Sequence, residues 1–233
     1  MKRKALLIGN TNGLAGVQID IQKTKAFLLS DIGGAWLNSE IDVLTNPRRA
    51  DLLARVDQVR QSSPDYVFLL FSGHGGLEKR TTMLELNGAG ETIAEDVLFK
   101  IAPRQISVFD CCRAMTREVA LEAYAADSLM KSHVASVVRG RYDALIMRAI
   151  PQQVRLYACL MGQVSNDTRN GAIYLQNLLE AAKLLSDNEM FKTAEQAHSE
   201  AKFQTIATHD EQTPDAVLPK CLSSQQLILS VRP

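Results

Sequence analysis

The chain alternates short apolar runs with longer stretches whose apolar positions recur at helical spacing. Ala5-Leu6-Leu7-Ile8, closed by Gly9-Asn10-Thr11-Asn12-Gly13, reads as a central strand and a loop. Residues 14–30 read as a helix, because Leu14, Val17, Ile21 and Leu28 fall on roughly one face. Ile41-Asp42-Val43-Leu44 reads as a second strand. Asn46-Pro47 opens a second helix that runs to about Gln61, and Ser62-Ser63-Pro64 breaks it. The apolar run 66–71 is a buried strand, and 82–86 is a shorter one ended by Asn87-Gly88. Residues 93–101 read as a helix that stops before Pro103, and 105–110 as the next buried strand. This alternation predicts a mostly parallel sheet with helices on both faces and right-handed crossovers.

The pattern weakens over 114–150. Residues 115–131 are compatible with a helix. Residues 134–138 resemble a short strand cut off by an exposed Arg139-Gly140-Arg141-Tyr142. A weakly patterned insertion of this length suggests a functional or mobile loop. Beyond it come a strand over 154–159, a polar loop over 165–171, helices over 172–185 and 191–204, and a last strand over 227–231. No repeat or low-complexity tract interrupts the chain, so residues 1–233 read as one domain.

Composition narrows the function classes. Apolar residues make up 46% of the 233 and charged residues 22%, enough to bury a full core without staples. Lysine plus arginine equals aspartate plus glutamate at 26 each, so the overall charge points to neither nucleic acid nor an acidic membrane surface. No apolar run approaches the length of a membrane span. The basic start Met1-Lys2-Arg3-Lys4 leads into an apolar run that stops at Ile8, too short for a secretory signal. Cys111, Cys112, Cys159 and Cys221 show no disulfide spacing, and a reducing, cytoplasmic setting is expected.

Two strand ends carry the chemistry. Run 66–71 ends in Ser72-Gly73-His74-Gly75-Gly76, and run 105–110 ends in Asp110-Cys111-Cys112-Arg113. Ligands bind beyond the carboxyl ends of strands in open parallel sheets. A cysteine and a histidine at one such edge form a candidate nucleophile–base dyad, with either Cys111 or Cys112 supplying the thiolate. The backbone N–H groups of Gly75 and Cys112 are candidate oxyanion-hole donors. The ordinary alternatives are a polar turn histidine and buried small cysteines. No Cys-x-x-Cys or His-x-x-x-His pair suggests a zinc site. Gly9, Gly13 and Gly16 invite a nucleotide reading, but their spacing matches neither dinucleotide nor P-loop signatures, and a plain strand-to-helix turn is the simpler account.

Phe71-Ser72-Gly73-His74-Gly75 followed one crossover later by Asp110-Cys111-Cys112-Arg113 resembles the caspase-like cysteine peptidases, in particular metacaspases and prokaryotic caspase homologues. Leu14-Ala15-Gly16 with Asp20, Tyr157-Ala158-Cys159 with Gly162-Gln163, Asn170-Gly171 and Gln212-Thr213-Pro214 extend the likeness over most of the chain, with 114–150 the least matched. The resemblance implies a caspase-like three-layer α/β sandwich with about six mostly parallel strands. It selects Cys112 as nucleophile and His74 as base, with no third orienting residue required. It implies an acidic pocket of Asp110, Asp20 and Ser72 that accepts arginine or lysine before the cleaved bond, a sensible partner for a cation. For Asp20 a solvated helix residue is the alternative. Arg113-Ala114-Met115 departs from the family's usual His-Ser-Gly.

The resemblance further implies protein or peptide substrates, no cofactor, and an upstream activator, either a partner protein or a nucleotide signal, as in bacterial stress or antiviral effectors. Calcium activation stays open, because Glu118, Glu122, Asp127 and Asp143 are scattered singly. Arg139 and Arg141 are candidate processing sites for an arginine-specific enzyme. The competing readings are a non-catalytic partner-binding module and a nucleotide-binding α/β domain.

Overall fold

A computed structural model describes residues 1–114 and 135–233. Its centre is a six-stranded sheet. Strands β1 (Arg3–Gly9), β2 (Ile41–Thr45), β3 (Tyr66–Ser72), β7 (Arg104–Asp110) and β8 (Gln152–Tyr157) run parallel, and β10 (Asp215–Val217) closes one edge antiparallel. The spatial order is β10-β8-β7-β3-β1-β2. β3 is buried at all seven positions and β7 at six of seven, as strands covered on both faces should be. Their register pairs Ser72 with Asp110, so both chains leave the sheet at one level.

Helices cover the two faces. α1 (Gly16–Leu29), α3 (Ala135–Arg148), α4 (Ile173–Lys183) and α5 (Ala194–Thr208) share one apolar cluster with the sheet, including Phe27, Tyr142, Tyr174 and Ala197. α2 (Arg49–Gln61) packs Leu52, Val56 and Val59 on the opposite face with Leu69, Phe71 and Phe109. A separate antiparallel sheet of β4 (Gly75–Glu78), β5 (Thr81–Glu85) and β6 (Thr92–Ala94) follows β3, and β9 (Phe191–Thr193) pairs with β11 (Ile228–Val231). α5 starts with a capping box in which Thr193 accepts from the Gln196 N–H and Gln196 reaches back to the Thr193 N–H.

Several expected elements change. Residues 93–101 are not a helix: Thr92–Ala94 pairs with β5, and Glu95–Leu98 forms one 3-10 turn. Ile93, Leu98 and Ile101 are buried at intervals of five and three, which do not make one helical stripe. The expected strand over 134–138 is the start of α3. Val138, Tyr142 and Ile146 recur every fourth residue and are all buried, so the helical period overrides the β-branched run. Arg139 and Arg141 therefore lie in a helix rather than an exposed linker. Arg139 pairs with Glu40 at 2.5 Å, and Arg141 donates to the Arg232 carbonyl at 2.8 Å. As processing sites both are poorly placed, because proteases bind extended chain. The last strand is present and pairs with β9, while β10 holds the edge of the central sheet. The proposed helix over 115–131 lies outside the described residues.

Candidate active site

A cleft of about 490 Å³ opens at the carboxyl edge of β1, β3 and β7. Its lining includes Ser72, His74, Asp110, Cys112, Ser165 and Asp167. Gly73 turns the chain out of β3 at φ +152°, where a side chain would be strained and would meet Asn10 Cβ at 2.8 Å. Its N–H donates to the Asp110 carbonyl at 3.1 Å, tying the two strand ends together before His74 departs.

His74 Nε2 lies 2.5 Å from the Asn12 carbonyl oxygen. A carbonyl only accepts, so Nε2 carries the proton and Nδ1 is left as the basic nitrogen of the neutral ring. A main-chain carbonyl thus orients the histidine. Reading side chains along the sequence did not reveal Asn12, since any residue supplies a carbonyl. The side chain of Asn10 fixes that loop, donating to the Glu85 carbonyl at 3.1 Å and accepting from the Asn12 N–H at 3.1 Å.

The two cysteines separate by burial. Both border the cleft, but Cys111 is 2% exposed and packs into the apolar cluster with Phe109 and Tyr157, whereas Cys112 is half-buried. Burial pushes the Cys111 thiol well above its ordinary range, with Cys159 and Asp110 adding to it. Burial raises Cys112 too; the Ser165 main chain pulls part of the way back and Asp110 pushes up. Cys112 Sγ donates to the Ser165 carbonyl at 3.7 Å, and no hydrogen bond joins it to His74. Gly75 packs directly over this turn: a β-carbon there would stand 2.7 Å from Cys111 Sγ and 2.8 Å from the Cys112 carbonyl. Close approach, besides a candidate N–H donor, explains the glycine.

Three carboxylates surround the cleft floor. Asp110 accepts from Ser165 Oγ at 2.6 Å and from the Leu175 N–H at 3.0 Å. Burial pushes its carboxyl up to about 7, against the lowering effect of those two donors. Asp20 accepts from Ser72 Oγ at 2.7 Å and from the Ala172 N–H at 2.9 Å. It is 1% exposed, not a solvated helix residue, and stands behind Ser72 rather than in the lining. Burial, then the Asp110 charge, raises it well above the usual carboxylate range. Asp167 lies in the polar loop 165–171, which the sequence marked without singling it out. Its carboxylate accepts from the Gly16 N–H at 3.1 Å. That contact takes one of the N–H groups at the N-terminus of α1, the end of the helix that a phosphate on the glycine loop 9–16 would use.

Arg113 points away from the cleft. Its guanidinium stacks 4.0 Å over the Tyr157 ring and reaches Thr82 Oγ1, the Cys159 carbonyl and Asp215. Among the described residues no group of three or more His, Cys, Asp or Glu is arranged to hold a metal. Of the residues considered for calcium, Asp143 pairs with Arg3 at 2.8 Å, and Glu118, Glu122 and Asp127 lie outside the described residues. No described helix is long and apolar enough to cross a membrane.

A mostly parallel sheet with helices on both faces thus carries, at its carboxyl edge, a cleft whose lining includes a cysteine and a histidine, the residue types that a cysteine peptidase uses. A family model of the caspase domain matches residues 2–218, and the chain belongs to that family. The fold is similar to a solved protein from Geobacter sulfurreducens, at 17% identity and a TM-score of 0.65, covering 100% of this chain and 98% of that one. It is also similar to caspase-1 from Spodoptera frugiperda, at 13% identity and a TM-score of 0.61, covering 93% and 86%. No curated protein matches the chain.

Proposed function

We propose that this protein is a cysteine endopeptidase that cleaves after arginine or lysine, with Cys112 as nucleophile and His74 as base. The observation that carries this reading is one cleft lined by His74 and Cys112 together with Asp110 and Asp167. His74 Nδ1 takes the Sγ proton, and the thiolate adds to the scissile carbonyl carbon. The oxyanion is received by the N–H groups of Gly75 and Cys112. Collapse expels the amine, which takes the proton from the imidazolium, and water then hydrolyses the thioester by the same route. Asp110 lines the recognition pocket, while Asp20 acts through Ser72. An arginine presents a planar, permanently charged fork that carboxylates bind bidentately.

A preference for aspartate would need a cation in the cleft. Arg113 points away from the cleft towards Tyr157 and Asp215, and Arg169 is among the lining residues. Fluorogenic peptides with Arg, Lys or Asp before the scissile bond therefore form the test, on wild type, Cys112→Ala, Cys111→Ala and His74→Ala. Cleavage after Arg or Lys that survives only in wild type and Cys111→Ala is expected. Cleavage after Asp alone would move recognition to Arg169. Activity lost in Cys111→Ala but kept in Cys112→Ala would overturn the nucleophile assignment.

A further inference from the structure

Ser165 makes two contacts that a substrate would have to replace. Its carbonyl accepts from Cys112 Sγ at 3.7 Å, and its hydroxyl donates to Asp110 Oδ1 at 2.6 Å. One residue thus holds both the nucleophile and a carboxylate of the recognition pocket. The loop that carries it is fixed at its far side. Asp167 accepts from the Gly16 N–H, and the segment closes on itself through Thr168 N–H to the Gly171 carbonyl at 3.2 Å and Gly171 N–H to the Thr168 carbonyl at 2.9 Å. Asn166 is held by Gln212 Oε1 at 3.0 and 2.9 Å.

The fit at Gly16 is tight. A β-carbon there would overlap Asp167 Oδ1 and the Thr168 carbonyl, so the loop lies directly on the helix start. Gly16 is in the first turn of α1, where alanine is a better helix former than glycine. Helix propensity would favour a side chain; the close approach of Asp167 excludes one. The carboxylate is also well placed against the positive end of the helix.

We propose that the 165–171 loop is a self-occluding strap, clasped to α1 through Asp167 and Gly16, that keeps Cys112 and Asp110 engaged with Ser165 until the clasp is released. This deepens the peptidase reading and rests on it for its consequence, but the strap itself is tested without peptide cleavage. A ligand that pairs with Asp110 and approaches Cys112 displaces both Ser165 contacts together.

The experiment is iodoacetamide labelling of the folded protein at pH 7.5, with the rate at Cys112 read by peptide mapping. Gly16→Ala pushes the strap off by overlap, and Asp167→Ala removes the clasp without overlap. Both are expected to label Cys112 at least about fivefold faster than wild type. Asp167→Asn keeps an acceptor for the Gly16 N–H and is expected to stay close to wild type, which separates the clasp from any effect of charge on His74. If Gly16→Ala does not fold, as judged by its melting transition, Asp167→Ala decides alone. Labelling unchanged or slower in Asp167→Ala overturns the strap. Faster labelling in a protein that cleaves nothing keeps the strap and removes the peptidase reading. Unchanged labelling in an active peptidase removes the strap alone.

Discussion

Asp110 ends a buried strand with its carboxyl pushed up to about 7 by desolvation, and its titration is coupled to folding. Between about pH 4, the ordinary carboxylate value, and about pH 7, the folded protein keeps a proton that the unfolded chain has released. The contribution of this group is therefore fully present below about pH 4 and lost as pH rises to about 7. The buried His198, whose pKa desolvation lowers to about 4, titrates with the opposite sign in part of that window. The melting temperature of wild type relative to Asp110→Asn reports this carboxyl together with its effect on Asp20, which the Asp110 charge pushes up in the same direction. It is expected to fall between pH 4 and 7 and then level off; a flat difference would show that Asp110 is ionised throughout. At Cys112 and His74 the chemistry itself is at stake. In the proposed mechanism His74 is the general base; removing such a base typically lowers the rate by about 100- to 10,000-fold, so His74→Ala is expected to lose that much kcat with little change in melting temperature. Gly75→Ala would press on Cys111 Sγ and the Cys112 carbonyl, and a loss of kcat larger than the change in KM is expected.

The segment after β7 is braced by Arg113 at the level of the element. This residue is 1% exposed, yet it joins the Cys112 turn to β5 through Thr82, to the end of β8 through Cys159 and Tyr157, and to β10 through Asp215. Gln163 and Gly162 add two main-chain bonds to Arg113, at 2.9 and 2.8 Å. Arg113→Ala is expected to destabilise by about 2–4 kcal/mol in urea unfolding, since stacking, hydrogen bonds and the Asp215 pair are lost together. Arg113→Lys should recover little of it, because an ammonium reproduces neither the planar stack nor the fork. Helix α3 carries the second element-scale prediction. With Arg139 on Glu40 and Arg141 on the Arg232 carbonyl, trypsin under native conditions should spare both positions. Rapid cleavage after either would mean that α3 opens readily in solution.

Over the whole molecule, the sheet order brings together pieces that are distant in the chain: residues 10–20, 72–75, 110–112 and 165–167. Much of this was legible beforehand. The buried runs that became β1, β3 and β7, the helices α1, α2 and α4, and the reactive residues at two strand ends follow from apolar period and glycine punctuation, which act locally. Where two local signals competed, the sequence misled. The β-branched run at 134–138 masked the four-residue repeat of Val138, Tyr142 and Ile146, and the mixed segment 93–101 took its strand from β5 rather than from its own period. By itself the sequence determined the sheet, its carboxyl edge, and the presence of a histidine and a cysteine just beyond two of its strands, because burial and side-chain chemistry are written in residue identity. Only the tertiary structure decided that Asn12 meets His74 through a carbonyl, that Cys111 is buried while Cys112 is half-buried, and that Ser165 meets Cys112 while Asp167 meets Gly16. Those contacts join main-chain atoms or residues more than fifty apart, and neither kind leaves a pattern along a single chain.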